Sequence, residues 1–171
     1  MNPEARREFG EFVAARTTSL MRLAYVLTGD QHAAEDLLQS ALTKTAGRWR
    51  SVHASPEAYV RKAMYHEQVS RWRSPWRRHG TVPEQPVSDR SHEVDLRLSL
   101  ERALLALPPR KRAVIVLRYY EDLPEREVAR MLGCSVGTVR SQTHKALARL
   151  REVAPELGPG LSRLEPARRT A

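Results

Sequence analysis

The chain has 171 residues, of which 29 are Lys or Arg and 20 are Asp or Glu, and its formal charge at pH 7 is +9. This length allows one ordinary domain or two small ones and excludes a large multidomain enzyme. A positive charge of this size favours a polyanionic partner, such as a nucleic acid or an anionic membrane. No apolar run approaches the roughly 18 residues that a membrane-spanning helix needs.

The first residues and the cysteine content bear on location. The chain starts without a basic segment followed by an apolar one, so we expect no secretory signal. Cys134 is the only cysteine, which excludes an internal disulfide and agrees with a reducing compartment. We therefore expect a cytoplasmic protein with no segment inserted in a membrane. A packing role for Cys134 is favoured over a redox or zinc role.

Apolar residues in the N-terminal half recur at three- and four-residue steps, the spacing of helices with one buried side. This spacing predicts a long helix over 3–27 and a second helix that is capped by Asp30 and ends near residue 46. Residues 48–54 are predicted to form a loop. Proline at position 56, after a serine and before a glutamate, predicts a third helix over 56–73.

The middle of the chain changes composition. Several prolines and a glycine with few apolar residues predict a flexible linker over 75–94, between a first domain over 1–74 and a second over 95–154. Residues 155–171 are predicted to be a mobile tail. No strand pattern is evident, so we predict an all-α fold of two small helical domains.

A helix-turn-helix motif is the strongest signal in the sequence. Residues 124–132 begin with proline, have apolar residues on one side and precede Gly133, which favours the left-handed conformation that ends many helices. After Cys134, Ser135 can cap a second helix that starts at Val136. A helix, a short turn containing glycine and a second helix form the motif that places a recognition helix in the major groove of DNA.

The second helix of this motif has two contrasting sides. The predicted inward side consists of Val139, Thr143, Ala146, Leu147 and Leu150. The outward side has small residues and hydrogen-bond donors, and no acid occurs from 136 to 151, which favours DNA contact. The candidate DNA-binding residues are Thr138, Arg140, Ser141, His144 and Lys145. The alternative is that these side chains only solvate a surface helix.

The predicted helix over 56–73 mixes basic and aromatic residues. Cations hold phosphates while exposed rings stack on unpaired bases, so this composition suits single-stranded DNA. The candidates are Arg61, Lys62, Arg71, Trp72 and Arg73. The alternative is that Tyr59 and Trp72 belong to the core and the arginines to an ordinary surface, and periodicity does not decide between the two.

The outer side of the second predicted helix is mixed and polar, with Asp36 and Gln39 among its residues. Such a surface suits a protein partner better than DNA, although a solvated amphipathic helix is the default interpretation. No phosphate-binding loop, dinucleotide fingerprint, zinc-protease motif or nucleophile elbow is present. The six histidines show no metal-ligand spacing. We therefore predict no catalytic residue, no metal, no cofactor and no enzymatic activity.

The two blocks together resemble an extracytoplasmic-function sigma factor, a compact member of the sigma-70 superfamily of bacterial RNA polymerase subunits. The resemblance covers about residues 7–153 and is most similar to the SigE-like group of actinobacteria. Its most specific segments are Leu-Pro-Pro-Arg-Lys-Arg from position 107, Val-Leu-Arg-Tyr-Tyr from 116 and Ser-Val-Gly-Thr-Val-Arg-Ser from 135. Ala-Ala-Glu-Asp-Leu-Leu-Gln from 33 and Tyr-Val-Arg-Lys-Ala from 59 extend it to the first block.

The resemblance implies a role for each block. The first block would be sigma region 2, in which Asp36 and Gln39 dock on the clamp helices of the polymerase beta-prime subunit. Residues 50–54 and the helix over 59–73, including His66, would capture the melted minus-10 element of the promoter. The second block would be region 4, in which Arg140, Ser141 and Lys145 contact the minus-35 element while the domain contacts the beta flap.

The resemblance also sets limits on what can be expected. Family members are often held by an anti-sigma factor, which is therefore a further expected partner. His66, Ser70 and Gln142 depart from the residues that are common in the family, so the promoter sequence is not predicted.

The predicted function is thus to bind core RNA polymerase and direct it to a subset of promoters. The alternative is a free-standing helix-turn-helix regulator whose first domain senses a ligand or a partner. A third class, a nucleic-acid-processing enzyme, would require an acidic metal site.

Overall fold

The computed structural model describes residues 2–73 and 92–157, with the side chains of 73 and of 92–96 left out. The chain divides into two units, Met1–Pro83 and Glu84–Ala171. Throughout the described ranges the regular structure is helical, without strands, which confirms the predicted all-α class. Most of the predicted linker, 75–91, and the predicted tail after 157 lie outside the described residues.

The described part of the first unit, 2–73, contains four α-helices. They are α1 (Pro3–Thr28), α2 (Gln31–Gly47), α3 (Trp49–Val52) and α4 (Pro56–Arg73). Helix α2 packs against both α1 and α4, and the short α3 contacts all three of the others. The core consists of the apolar sides of the long helices, with Leu20, Leu27, Leu37, Val60 and Met64 almost completely buried.

The boundary between α1 and α2 forms as the sequence predicts. Gly29 has a φ of 77°, which a residue without a Cβ adopts at little cost, and its N–H donates to the Tyr25 carbonyl at 2.7 Å. The carboxylate of Asp30 accepts a hydrogen bond from the Ala33 N–H at 2.8 Å, so the predicted cap is confirmed.

The predicted loop over 48–54 is partly wrong, because Trp49–Val52 form helix α3. Trp49 is only 6% exposed. The centroid of its ring lies 5.2 Å from the ring centroid of Phe9 and 5.7 Å from that of Phe12. The indole Nε1 also donates to the Glu8 carboxylate at 3.2 Å. One helical turn is too short to show a periodic pattern, and this one depends on burial of its tryptophan against α1.

Residues 92–157, the described part of the second unit, contain four further α-helices. They are α5 (His92–Leu105), α6 (Pro109–Ile115), α7 (Glu125–Leu132) and α8 (Val136–Val153). A π-helix over Val116–Tyr120 extends α6, and its last hydrogen bond joins the Glu121 N–H to the Val116 carbonyl at 3.1 Å. Helix α8 contacts α5, α6 and α7, so it packs against each of the other α-helices described in this unit.

The predicted limits of the second domain differ from the structure at both ends. Residues 92–94 belong to helix α5, so the predicted linker ends earlier than 94. At the other end, Pro155–Leu157 form a 3-10 helix that contacts α5 and α8, so the first residues of the predicted tail are packed on the unit. Buried Ala154 joins this turn to α8, and its burial explains why the packed part continues past 154.

Candidate nucleic-acid interface

Two residues in the turn between α7 and α8, Gly133 and Ser135, fix the ends of the two helices of the helix-turn-helix motif. Gly133 has a φ of 65°, and the next N–H, of Cys134, donates to the Ala129 carbonyl at 3.0 Å, which closes the end of α7. The Ser135 hydroxyl then accepts a hydrogen bond from the Thr138 N–H at 3.0 Å. The predicted C-cap glycine and N-cap serine are both confirmed.

The two sides of α8 are as the sequence predicts. The buried residues of this helix are Val139, Thr143, Ala146, Leu147 and Leu150, the predicted inward side. Of the five candidate DNA-binding residues, Arg140, Ser141, His144 and Lys145 are exposed and Thr138 is half-buried. The outward side of α8 therefore has hydrogen-bond donors and small side chains that are accessible to a binding partner.

One acidic residue that the sequence analysis did not single out lies beside this surface. Glu125, the first residue of α7, accepts a hydrogen bond from Arg140 Nε at 2.7 Å. The two residues are 15 positions apart and lie on different helices, so no helical period connects them. Only the packing of α7 on α8 reveals this partner of a candidate DNA-binding residue.

The candidates on α4 divide into two groups. Lys62 and His66, one helical turn apart, are exposed, whereas Arg61 is half-buried and pairs with Glu57. Glu57 also pairs with Arg16 of α1 at 3.3 Å, so Arg61 is part of a network that joins two helices. The side chain of Arg73 lies outside the described part of the chain.

The aromatic residues of α4 differ in burial. Tyr65 is only 3% exposed and belongs to the core, while Tyr59 and Trp72 are half-buried. Each of these two rings therefore keeps some accessible surface.

Arg71 lies apart from Lys62 and His66, in an open groove of about 410 Å³ between α2 and α4. The groove is lined by Asp36, Gln39, Ser40, Thr43, Lys44, Glu67 and Arg71. The two residues predicted to contact a protein partner, Asp36 and Gln39, are thus brought together with a residue predicted to contact DNA.

Glu67 organises this groove. Its carboxylate accepts hydrogen bonds from Ser40 Oγ at 2.6 Å, Lys44 Nζ at 2.7 Å and Arg71 Nη2 at 3.0 Å. Burial alone would raise the pKa of Glu67, but the hydrogen bonds from Lys44 and Ser40, with the positive charge of Lys44 and the bond from Arg71, lower it overall. The ionised carboxylate therefore ties α2 to α4.

Replacing this carboxylate should have a pH-dependent effect on the first unit. Because the folded-state pKa is lowered, ionised Glu67 stabilises the fold above its ordinary pKa near 4.5, and this contribution is lost as the pH falls through the folded value. We expect Glu67→Gln to reduce the free energy of unfolding by about 1 to 2 kcal/mol at pH 7. Urea unfolding followed by tryptophan fluorescence should show this difference shrinking between pH 5 and pH 3. A difference that stays constant over this range would contradict the assignment.

Two negative findings apply to the described residues only. No group of three or more His, Cys, Asp or Glu side chains within 2–73 and 92–157 is arranged to hold a metal ion. None of the helices that the structure describes combines the length and apolar content needed to cross a membrane.

Comparisons with known proteins place the chain in a family. The family model for sigma-70 region 4 matches residues 97–150, which include all of α6 and α7 and all of α8 except its last three residues. The RNA polymerase sigma-E factor of Streptomyces coelicolor is 40% identical over 152 residues, covering 85% of this chain and 85% of that protein. The chain belongs to the extracytoplasmic-function sigma factors.

Other relatives of this sigma factor agree with the assignment. The ECF RNA polymerase sigma factor SigM of Mycobacterium tuberculosis is 29% identical over 163 residues, covering 92% of this chain and 82% of that protein. The RNA polymerase sigma-E factor of Streptomyces antibioticus is 40% identical over 152 residues, covering 85% of this chain and 83% of that protein. Since neither unit amounts to 85% of the chain, these matches include both. The predicted resemblance, including its SigE-like character, is confirmed.

The family match identifies the second unit of this sigma factor as region 4. The region 4 match contains all five candidate residues of α8, and Glu125 as well. The relatives do not favour the alternative of a free-standing regulator, because they are named as sigma factors of RNA polymerase.

Proposed function

We propose that this sigma factor binds core RNA polymerase and directs it to initiate transcription at a subset of promoters. The observation that carries the proposal is the exposed side of α8, which has no acid from 136 to 151, in a helix-turn-helix that is covered by the region 4 match. An outward side of this composition suits the major groove of duplex DNA. The proposed function involves no covalent chemistry by the chain itself. The protein would act in the cytoplasm, where the DNA template is.

Each unit would have its own contacts. Region 4 would contact the minus-35 element through Thr138, Arg140, Ser141, His144 and Lys145, and would also contact the beta flap of the polymerase. Support for this comes from the exposure of most of these side chains on one side of α8. Binding should weaken steeply with salt, because contacts of cations with phosphates release counterions.

The first unit would act as region 2. Its groove, with Asp36 and Gln39 on α2, would dock on the clamp helices of the beta-prime subunit, and the exposed side of α4 around Lys62 and His66 would contact the melted minus-10 element. The ordered ion pairs of Glu67 support a preformed protein-binding groove, because they fix the side chains at its edge. Arg71 would then serve this groove, while Arg61, Trp72 and Arg73 remain candidates for the minus-10 contact.

The two contacts would support each other through the linker. The 18 residues between α4 and α5, 74–91, can span at most about 65 Å when fully extended. Two weak DNA contacts joined in this way raise each other's effective concentration, provided that polymerase holds them at a distance the linker can reach. An anti-sigma factor that covers either unit would prevent this, and is a further proposed partner.

Reconstituted transcription tests the proposal. Purified full-length protein is added to core RNA polymerase from a Streptomyces species, with fragments of the source genome as template, and transcript 5′ ends are mapped. We expect discrete start sites that depend on the added protein and share sequence elements upstream. If no promoter-specific transcript forms, while the protein alone binds duplex DNA tightly and specifically, the free-standing regulator would replace this proposal.

Replacing Gly137 should separate folding from DNA binding. Nothing within the described unit requires glycine there, because an added Cβ would lie 3.7 Å from Ser135 Oγ, an ordinary contact distance. Gly137→Ala should therefore raise the free energy of unfolding by about 0.5 kcal/mol, since alanine has the higher helix propensity. The added methyl group should nevertheless weaken minus-35 binding about threefold or more if this turn of α8 approaches the DNA backbone closely. Unchanged affinity in a competition assay would show that it does not.

A further inference from the structure

The pair formed by Arg140 and Glu125 has a geometry that leaves part of the arginine available. The carboxylate takes the Nε hydrogen bond at 2.7 Å, and the described residues offer no hydrogen-bond partner to either terminal nitrogen of Arg140. The Arg140 side chain is 69% exposed. We propose that Glu125 is a positioning residue, whose carboxylate holds the guanidinium so that its terminal nitrogens donate together to a guanine in the minus-35 element.

Glu125 is suited to this task because it is itself held in place. Its side chain is 26% exposed, far less than that of Arg140. It lies in the first turn of α7, where the helix dipole favours a carboxylate. Helix α7 packs on α8 and is joined to it by the capped turn at Gly133. The carboxylate therefore has a fixed position and holds the more exposed arginine side chain by a hydrogen bond.

Such attachment favours base recognition over phosphate binding. An exposed arginine loses much rotamer freedom when it makes a bidentate contact, and a guanidinium that is already fixed loses less. A guanine offers O6 and N7 to the two terminal donors, which is the commonest specific contact in the major groove. The adjacent negative charge of Glu125 also weakens the attraction of Arg140 to phosphates of any sequence. Removing Glu125 should thus lower specificity and raise non-specific binding together.

The inference rests on the proposed function and predicts a pattern among five variants of the full-length protein. They are Glu125→Ala, Glu125→Gln, Arg140→Ala, the double variant Glu125→Ala/Arg140→Ala, and the control Glu152→Ala. The control removes a glutamate from an ion pair with Arg149 near the other end of α8, and so changes the net charge equally. Each variant is bound to core polymerase and tested on promoter duplexes with every base substituted in turn, at several salt concentrations.

We expect Arg140→Ala to abolish the preference for guanine at one position and Glu125→Ala to reduce it about three- to tenfold at the same position. Glu125→Ala should also steepen the slope of log affinity against log salt by up to about one unit, as one more phosphate contact would. Glu125→Gln keeps an acceptor for Nε and should retain most of the preference. In the double variant the loss of Glu125 should have no further effect on base preference, and Glu152→Ala should leave base preference unchanged.

Several results would overturn the inference. One is an effect of Glu125→Ala on base preference that is as large in the Arg140→Ala variant as in the unaltered protein. An effect at a different base position would have the same meaning, because Glu125 would then itself accept a hydrogen bond from a cytosine. A second is an equal loss of preference in Glu152→Ala, and a third is an Arg140→Ala variant with unaltered preference. In each case promoter-specific transcription by the unaltered protein leaves the proposed function standing. Absence of that transcription would overturn both.

Discussion

Replacing Asp36 and Gln39 together with alanine is expected to weaken binding to core RNA polymerase about 30-fold or more, while the first unit stays folded. Both side chains are exposed and line the groove between α2 and α4. Residues at the centre of a protein interface each cost about 1 to 2 kcal/mol or more when truncated, which is roughly a factor of five to thirty in affinity. The loss should appear mainly as faster dissociation from the polymerase.

The same substitution should leave folding intact, for a physical reason. Among the described residues, no hydrogen bond or ion pair engages the side chain of Asp36 or Gln39, so truncation leaves no buried group without a partner. Alanine also has the higher helix propensity in α2, so the free energy of unfolding should stay equal or rise slightly. Stability and affinity are therefore expected to change independently.

A matched control is available in the same unit. Glu11→Ala/Gln31→Ala removes one carboxylate and one amide from exposed positions that do not line the groove. This control should bind core polymerase within about twofold of the unaltered protein, measured by fluorescence anisotropy of the labelled full-length chain. Equal weakening by both double variants would show that the groove is not the docking surface.

Replacing Leu117 with alanine is expected to have the largest effect on stability, confined to the second unit. Leu117 is completely buried, and its backbone carbonyl accepts a hydrogen bond from the Leu123 N–H at 3.0 Å. Truncation of a buried leucine costs about 3 to 5 kcal/mol, from lost transfer free energy and the cavity left behind. A domain of this size has a free energy of unfolding of only about 5 kcal/mol, so the truncation removes most of its stability and the helix-turn-helix should be largely unfolded at 37 °C.

The tryptophans allow the two units to be followed separately. All three, at 49, 72 and 76, belong to the first unit. Leu117→Ala should therefore lower helical circular dichroism at moderate temperature without moving the transition seen by tryptophan fluorescence. The matched variant Leu37→Ala, at a completely buried position of the first unit, should move the fluorescence transition instead. If Leu117→Ala shifts both signals equally, the two units do not fold independently.

Features set by local sequence were predictable. The inward side of α8 follows from a 3.6-residue period, and the caps at Asp30 and Ser135 follow from side chains that can accept a backbone hydrogen bond. The bounds of α1, α2 and α4 agree with the sequence within a residue or two for the same reason. Family resemblance then added the functional labels, which no single helix could provide.

Features that depend on contacts between helices were not predictable. Helix α3 exists because Trp49 is buried against α1, and the π-helix after α6 has a five-residue hydrogen-bond step that no apolar period indicates. The pairing of Glu125 with Arg140 and the placement of Arg71 in the groove require side chains from separate helices to meet. Sequence patterns show which side of a helix is buried but not which neighbour it meets.

We expect the two units to engage one promoter only when polymerase is present. Permanganate reactivity of thymines, combined with a nuclease footprint, tests this on a supercoiled template whose start site has been mapped with the reconstituted enzyme. With both components present we predict an unpaired stretch near the start site and protection of a separate upstream duplex stretch, and neither with the chain or core polymerase alone. The same upstream protection by the chain alone, without unpaired thymines when polymerase is added, would contradict polymerase-dependent engagement of the promoter.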